Sequence, residues 1–293
     1  MEDLKTWTRY ALVGCLLCAG GGCGGRTGDI RVDGSNTMVT LAQAWAERYG
    51  EIRPDVSVQV SGGGSGVGIA SLIDGMCDVA NASREMKDEE KDRVKANHDG
   101  KEAKELIASY DALAVYVHKD NPLDSISIEE LAEIYGDGGK ITDWSAFGLP
   151  AGSPTKGAIA VVSRQNSSGT FFYFREAVLG KERDYRLDAV KMNGSKDVVT
   201  HVSNTPAAIA YGSMGYATGG VKILRVSAKK GEPGIEPTVE HTQDGTYPIT
   251  RPLRIYTVGE PTGKLKEYLD WILSPEGQKI VLDLGYVPLE KDE

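Results

Sequence analysis

The sequence predicts an α/β protein in which strands and helices alternate around parallel sheets. Short apolar runs rich in β-branched residues alternate with longer amphipathic runs, which is the pattern of strand–helix units. Clusters of Gly, Ser and Thr separate several of these strands from the helices that follow them. The chain has 293 residues, 40% of them hydrophobic, which is enough for two domains that each bury a core.

The first part of the chain, from Asp29 to about Lys119, contains four predicted strands. They are expected at 30–34, 56–62, 77–83 and 112–119. Helices are expected between them at 36–52, at 65–76 and from about 88 to 107. Strands that alternate with helices in this way favour a parallel, doubly wound sheet.

The remainder of the chain continues the alternation, apart from one irregular stretch. Further strands are expected at 157–164 and 252–259, and further helices at 127–139, after Thr170, at 263–274 and at 275–285. Pro275 suits the first position of the last helix, where no amide hydrogen is needed. Residues 227–250 are polar and rich in Gly, Pro and Thr, and are expected to form irregular surface.

Charge and motifs exclude several classes of function. The net charge of −9 argues against a nucleic-acid-binding protein or one held to membranes by basic patches. The P-loop and the nucleophile elbow are absent, and the Gly-rich turn at Gly62–Gly68 does not fit the dinucleotide-binding fingerprint. The histidines His98, His118, His201 and His241 are scattered without metal-ligand spacing. We therefore expect no enzyme, no metal and no cofactor, and any bound anion must be held by local donors.

The N-terminus has the features of a targeting segment. Lys5 and Arg9 precede an apolar run of signal-peptide length. We expect residues 1–22 to be a lipoprotein signal peptide, Cys23 to carry the lipid and residues 23–28 to be a flexible tether. Cys15 is an alternative lipidation site, and a cleaved secretory signal without lipid is another.

Four junctions combine small hydroxyl residues or Arg with the start of a helix. Their sequences are "DGSNTM", "SGGGSGVG", "ASREM" and "SRQNSSGT". Each follows a strand at the sheet edge where open α/β proteins bind their ligands. A single Ser there is an ordinary helix cap, but hydroxyl groups, unpaired helical amides and an Arg together indicate an oxyanion site.

At these junctions the sequence resembles the phosphate-binding lipoproteins of ABC phosphate transporters. The segments "PAAIAYGSMGYA" and "PLRIYTVGEPTGKLKEYLDWILSPEGQKIVLDLGYVPL" share the resemblance, which covers nearly everything from Asp29 to Leu289. It implies a two-lobed type II periplasmic-binding-protein fold with a hinge of crossing strands. The expected lobes are 29–113 with 254–293, and 114–253.

The resemblance also implies a set of phosphate ligands. They are Ser35, Asn36 and Thr37 in the first junction, Ser65 in the second, and Arg164, Ser168, Gly169 and Thr170 in the fourth. Many relatives have an Asp after the Ser of the third junction, where this chain has Arg84, which we expect near the anion. Asp111 could supply the missing acceptor for a phosphate proton, or it could be a solvated residue at the end of a strand.

The implied function is that of a non-enzymatic, monomeric lipoprotein outside the cytoplasm. It would capture inorganic phosphate between its lobes and deliver it to an ABC permease, with contact to the membrane through the lipid alone. Two alternatives remain open at this point. One is a sensing or adhesion protein on the same fold, and the other is a receptor for another tetrahedral oxyanion.

Overall fold

A computed structural model describes residues 29–149 and 152–290 of the chain. The strands are β1 (Asp29–Gly34), β2 (Ser57–Val60), β3 (Val79–Ala82), β4 (Ala103–His118), β5 (Ser125–Ser127), β6 (Ala160–Arg164), β7 (Val190–Met192), β8 (Ala208–Ser213), β9 (Val221–Ser227) and β10 (Thr250–Val258). The helices are α1 (Val39–Ile52), α2 (Ser65–Ile73), α3 (Asp88–Asn97), α4 (Ile128–Tyr135), α5 (Gly169–Phe174), α6 (Ser195–Ser203), α7 (Val239–Gln243), α8 (Gly263–Leu273) and α9 (Pro275–Asp283). Within these ranges, no helix has the length and apolar composition needed to cross a membrane.

The first lobe is a sheet with the strand order β2-β1-β3-β10-β4, covered by helices on both faces. Residues of α1, α8 and α9 pack on one face around Trp45 and Leu269, and residues of α2 and α3 pack on the other around Leu72. The three strands β2, β1 and β3 run parallel, whereas β10 runs antiparallel to β3 and β4. The C-terminal part of the chain therefore completes the sheet that the N-terminal part begins.

The second lobe has the strand order β4-β8-β6-β7, with β9 also pairing with β4 and β5 pairing with β9. Its larger core contains Trp144, Tyr135 and Phe174, and α6 covers the opposite face with Val198 and Val202. A capping box begins α4, because the Ser127 side chain accepts from the Glu130 amide and the Glu130 carboxylate accepts from the Ser127 amide. After α5, Arg175–Leu179 form a π-helical turn.

Two strands connect the lobes. The first half of β4 pairs with β10, and its second half, from Leu113, pairs with β8 and β9. Ala108 and Leu253 pack in the first lobe, whereas Ala112 and Leu113 pack in the second. Leu113 and Leu253 thus each pack in the lobe opposite to the one expected, and the crossing lies between Ala108 and Ala112 in β4.

The structure corrects three further predictions. Residues 103–107 belong to β4 instead of a helix, because pairing with β10 outweighs the helix propensity of "AKELI". The sheets are mixed, since β10 and β4 bring antiparallel pairs into both lobes. The stretch 227–250 contains one short helix, α7. The segments assigned to the signal peptide, Cys23 and the tether lie outside the described residues.

Candidate functional site

Six buried hydroxyl residues from the four junctions meet where the lobes face each other. We call them the hydroxyl cluster, and its members are Ser35, Thr37, Ser65, Ser83, Ser168 and Thr170. Ser35, Thr37 and Ser83 follow the ends of β1 and β3, and Ser65 begins α2. Ser168 and Thr170 belong to the second lobe at the start of α5. The strand order therefore brings residues distant in sequence to one place, as expected for the carboxyl edge of an α/β sheet.

Hydrogen bonds join the hydroxyl cluster within and between the lobes. The Ser35 hydroxyl donates to Ser83 Oγ over 2.9 Å, and the Ser83 amide donates to Ser65 Oγ over 3.0 Å. Across the cleft, Thr37 Oγ1 and Thr170 Oγ1 lie 2.9 Å apart. The lobes also touch through the backbone, where the Gly66 amide donates to the Ser167 carbonyl over 3.0 Å. The two lobes are thus closed on each other around the cluster.

Backbone amides add further donors to this site. Among the described residues, the N–H groups of Asn36, Thr37, Ser65, Gly169 and Thr170 meet no hydrogen-bond acceptor. They lie just before or within the first turns of α1, α2 and α5, where helical geometry leaves amides unpaired and the helix dipole is positive. Unpaired amides from three helices around one cluster of hydroxyls form a site suited to an anion.

Two predicted residues contribute through their backbone. The Asn36 side chain is engaged elsewhere: its Oδ1 accepts from the Gly63 amide and its Nδ2 donates to the Asn193 carbonyl. Gly169 lies so close to the first lobe that an added Cβ would be 2.3 Å from Ser65 Oγ. Only a residue without a side chain allows α5 to approach this closely.

Arg164 is a buried cation without a carboxylate partner in the described structure. Its guanidinium, 1% exposed, donates to the carbonyls of Met192 and Asn193 over 3.3 and 2.6 Å and to Ser195 Oγ over 3.3 Å. Burial lowers the pKa of Arg164 to about 10, and nearby Arg251 acts in the same direction. The guanidinium still carries its charge at neutral pH, which is costly to bury unless an anion is near.

Sequence reasoning missed Arg251, which lies beside the hydroxyl cluster and is inaccessible to solvent. Its five N–H groups all have partners. Nε and Nη2 donate to Asp111 Oδ2 over 3.1 and 2.8 Å, and Nη2 also donates to Thr37 Oγ1 over 3.3 Å. Nη1 donates to Thr170 Oγ1 over 3.1 Å and to the Ser83 carbonyl over 3.3 Å. Arg251 therefore contacts both lobes and the hinge.

Asp111 is neither a solvated residue nor a free acceptor. It is fully buried, with Oδ2 bonded to Arg251 and Oδ1 accepting from the Ser213 hydroxyl over 2.6 Å. Burial raises the pKa of the Asp111 carboxyl, and the Arg251 charge and the Ser213 hydroxyl act against that rise. The suggestion that Asp111 accepts a phosphate proton is thus corrected to a role in holding Arg251.

Arg84 is also placed differently from the prediction. Its Nη1 and Nη2 bind both oxygens of Glu90, over 2.8 and 2.7 Å, and its guanidinium lies 5.4 Å from the centre of the Phe172 ring. It lines a groove of about 710 Å³ outside the hydroxyl cluster, together with Lys87 and Phe172. Both residues lie just after the end of β3. The Ser83 side chain bonds within the cluster, whereas the Arg84 side chain bonds to Glu90 outside it.

Two signals could have revealed the missed residues. The other three junctions each contribute Ser or Thr to the cluster, which favours Ser83 over Arg84 as the contribution of the third junction. Asp111 and Arg251 are single charges next to or within apolar strands, in "SYDALAVYV" and "ITRPLRIY". Charges in buried strands need partners of opposite sign, so the two could have been paired.

Comparison with known proteins places this chain and its fold among solute-binding proteins. The sequence pattern described as the PBP superfamily domain matches residues 22–276. The chain is 32% identical to the phosphate-binding protein PstS of Pseudomonas aeruginosa, over 90% of this chain and 84% of the relative. It is 33% identical to the phosphate-binding protein PstS of Bacillus subtilis, over 90% of this chain and 81% of the relative.

A solved structure agrees with these relatives. A phosphate ABC transporter substrate-binding protein from Clostridium perfringens, with bound phosphate, superposes with a TM-score of 0.79. It is 30% identical and covers 89% of this chain and all of its own length. The chain belongs to the PBP superfamily and, within it, to the family of the phosphate-binding proteins PstS. The predictions of a type II periplasmic-binding-protein fold and of a binding protein instead of an enzyme are confirmed by this family.

Proposed function

We propose that the protein binds inorganic phosphate between its lobes and delivers it to an ABC permease. The observation that carries the proposal is Arg164, a fully buried cation whose protein partners are all neutral oxygens. An anion in the adjacent hydroxyl cluster would supply the missing negative charge. The names of the relatives, which are phosphate-binding proteins and a phosphate ABC transporter component, support this choice of ligand and partner.

The arrangement of donors favours a small tetrahedral oxyanion. Hydroxyls and unpaired amides approach from both lobes, so that donors surround the site instead of lining one wall. The contact between Gly169 and Ser65 Oγ closes the lobes tightly beside the site. This favours inorganic phosphate over a phosphate ester, whose organic group would need an opening.

The proposed contacts follow from the placement of each residue. Ser35, Thr37, Ser65, Ser168 and Thr170 would donate through hydroxyls or amides, and Asn36 and Gly169 through amides. Arg164 would supply charge. Residues on the two sides of the β4 and β10 crossing would form the two lobes that close on the ligand.

The location and assembly proposed for the protein follow the same family. We propose that the protein acts outside the cytoplasm as a monomer, attached to a bacterial membrane by lipid on Cys23. Mass spectrometry of the mature N-terminus would detect the lipid. A mature chain that begins beyond Cys23 would exclude this anchor.

Isothermal titration with phosphate, arsenate and sulfate tests the proposed function. We expect wild-type protein to bind phosphate, and Arg164→Ala to weaken binding at least about tenfold. This follows because a hydrogen bond to a charged group contributes about 1.5–3 kcal/mol and about 1.4 kcal/mol corresponds to one decade. Arg164→Lys should also weaken binding, since it keeps the charge but loses the planar donor fork.

Arg186→Ala is a matched control in the same lobe. Arg186 pairs with Asp188 and donates to the Ile134 carbonyl, away from the hydroxyl cluster. Its removal should leave phosphate affinity unchanged. Equal affinities for wild-type protein and Arg164→Ala would contradict the proposed site, and tighter binding of sulfate than of phosphate would contradict the proposed ligand.

A further inference from the structure

Arg251 occupies the point where the two connecting strands cross. It lies in β10 directly opposite Asp111 of β4, as a cross-strand pair whose side chains are both inaccessible. Because these two strands are the connections between the lobes in the described structure, the pair belongs to the hinge itself. A charged pair at the hinge stays in place while the lobes on either side move relative to it.

Beyond the hinge, Arg251 reaches one threonine in each lobe. Nη2 donates to Thr37 Oγ1 of the first lobe and Nη1 to Thr170 Oγ1 of the second, and these two oxygens lie 2.9 Å apart. A guanidinium can only donate, so both threonine oxygens act as acceptors toward it. Only one hydroxyl hydrogen is needed for the Thr37–Thr170 bond. The other threonine therefore keeps its hydrogen for a ligand in the cluster.

These bonds can exist together only when the lobes are closed. Thr37 and Thr170 are on opposite sides of the cleft, and rotation about β4 and β10 would separate them beyond the reach of one planar group. In this closed form Arg251 also lies near enough to Arg164 to lower its pKa, and Asp111 is the one buried carboxylate among the described residues. An anion between the two arginines would offset their repulsion.

We propose that Arg251 is a positioning residue that couples closure of the lobes to anion binding. It orients the bonded pair Thr37 and Thr170 so that one of them donates its free hydroxyl hydrogen to the ligand in the closed form, and Asp111 holds its guanidinium at the hinge. Closure without an anion is opposed by the repulsion between Arg251 and Arg164. This inference rests on the proposed function and adds to it the residue that connects the site to the hinge.

Arg251→Lys tests the inference because lysine keeps the charge beside Asp111 but cannot reach both threonines with a planar fork. We expect phosphate affinity to fall at least about tenfold. We also expect the decrease in radius of gyration on adding phosphate, measured by small-angle scattering, to be lost or reduced.

Circular dichroism of the variant without phosphate checks that it is folded. The matched control is Arg254→Lys, three residues along β10, where Arg254 pairs with Glu105 and contacts no hydroxyl of the cluster.

A double-mutant cycle with Thr170→Val keeps the test decisive if Arg251→Lys is destabilised. Since Arg251 acts partly through Thr170, the double variant should lose less affinity than the product of the two single losses. Unchanged affinity and unchanged compaction in Arg251→Lys, or strictly multiplicative losses in the cycle, would overturn the inference.

The wild-type titrations separate this inference from the proposed function. If wild-type protein binds phosphate and Arg251→Lys behaves like it, only the role of Arg251 is wrong. If wild-type protein binds arsenate or sulfate but not phosphate, the proposed ligand is wrong, and the Arg251 comparison is made with the anion that binds. Wild-type protein that binds none of the three contradicts both.

Discussion

At the scale of single residues, the partner of a buried arginine decides its role. Arg84 and Arg164 are both nearly inaccessible, and each adjoins a predicted anion-binding junction. Glu90 binds Arg84 with both carboxylate oxygens, so Arg84 is neutralised without a ligand. Arg164 has carbonyl and hydroxyl partners only, and an anion would complete its environment. The junction sequences do not contain this difference in partners, because the pairing of Arg84 with Glu90 depends on how α3 begins.

Glu90→Gln is expected to reduce stability without affecting phosphate binding. Glu90 also accepts from the Lys87 amide at the start of α3, a bond that the Gln amide oxygen can keep, so the change removes mainly the charge and the two-oxygen pairing with buried Arg84. We expect a loss of about 2 kcal/mol in the free energy of unfolding, measured with urea near neutral pH. A tenfold loss of phosphate affinity would instead place Arg84 and its partner in the anion site.

The stability difference between wild type and Glu90→Gln should depend on pH, and the direction of that dependence follows from the pKa of Glu90. Burial acts to raise the pKa of Glu90, but hydrogen bonds from Arg84 and the Lys87 amide outweigh it and lower the pKa. A carboxyl with a lowered pKa stabilises the fold above its unfolded pKa of about 4.3, and that contribution is lost as pH falls through the folded pKa. The stability difference between wild type and Glu90→Gln should therefore shrink below about pH 4. A difference that stays constant down to pH 3 would contradict this account.

At the scale of elements, a buried relay of hydroxyls connects β6 to α5. Tyr185 donates to the Phe171 carbonyl over 2.9 Å, so it must accept from Tyr211, 2.9 Å away. Tyr211 in turn accepts from Ser163, the residue before Arg164, over 2.8 Å. The relay fixes the strand that carries Arg164 relative to the helix that offers the Gly169 and Thr170 amides.

Tyr185→Phe breaks two bonds of this relay while keeping the aromatic packing. We expect phosphate affinity to fall roughly fivefold, the equivalent of about 1 kcal/mol for one net hydrogen bond, as measured by titration calorimetry. Tyr135→Phe is the control, because Tyr135 packs in the same aromatic group but bonds to the Val162 carbonyl of β6 alone. Equal effects of the two changes on affinity would mean that the relay does not position the site.

The sequence predicted helices and strands correctly where the local apolar pattern matches the face that the element buries in the folded protein. The helices α1, α8 and α9 and the strands β1 and β3 lie close to the expected ranges, since their apolar periodicity matches the faces they bury. The N-terminal half of β4 was missed because "AKELI" favours a helix locally. This segment forms a strand because it pairs with β10, about 150 residues later in the chain. The sequence around residues 103–107 gives no indication of that pairing.

At the scale of the whole molecule, closure depends on how closely the lobes approach. Gly169→Ala would place a Cβ 2.3 Å from Ser65 Oγ and 2.6 Å from Ser83 Oγ, in a helix where alanine itself is favourable. We expect each lobe to stay folded while the lobes fail to close. Phosphate affinity should fall at least about tenfold, and compaction on adding phosphate should be lost in small-angle scattering.

Gly50→Ala provides the comparison for this prediction. Gly50 lies in α1 with open space around the added Cβ, so the same substitution should leave affinity unchanged and stability equal or slightly higher. Normal phosphate affinity in Gly169→Ala would show that the lobes do not need this contact.

The candidate site was predictable in part for similar reasons. Most members of the hydroxyl cluster lie in Gly- and Ser-rich junctions that follow strands. In an α/β fold these junctions lie together at the carboxyl edge of the sheet, so their proximity follows from the fold class alone. The charge of Arg251 within an apolar strand could have been paired with Asp111, but its bonds to Thr37 and Thr170 exist only once both lobes and the hinge are assembled. The residues that connect distant parts of the chain carry the weakest local signals.

The position of β10 also determines the order in which the molecule can be built. This strand lies between β3 and β4, yet it is made from residues near the end of the chain. The second lobe draws its sheet from Leu113 to Ser227, so a growing chain can complete it first. The residues of the first lobe are made earlier. Its sheet nevertheless lacks the strand between β3 and β4 until β10 has been synthesised. Folding of the two lobes therefore runs opposite to their order of synthesis, and the last strand to arrive also closes the hinge.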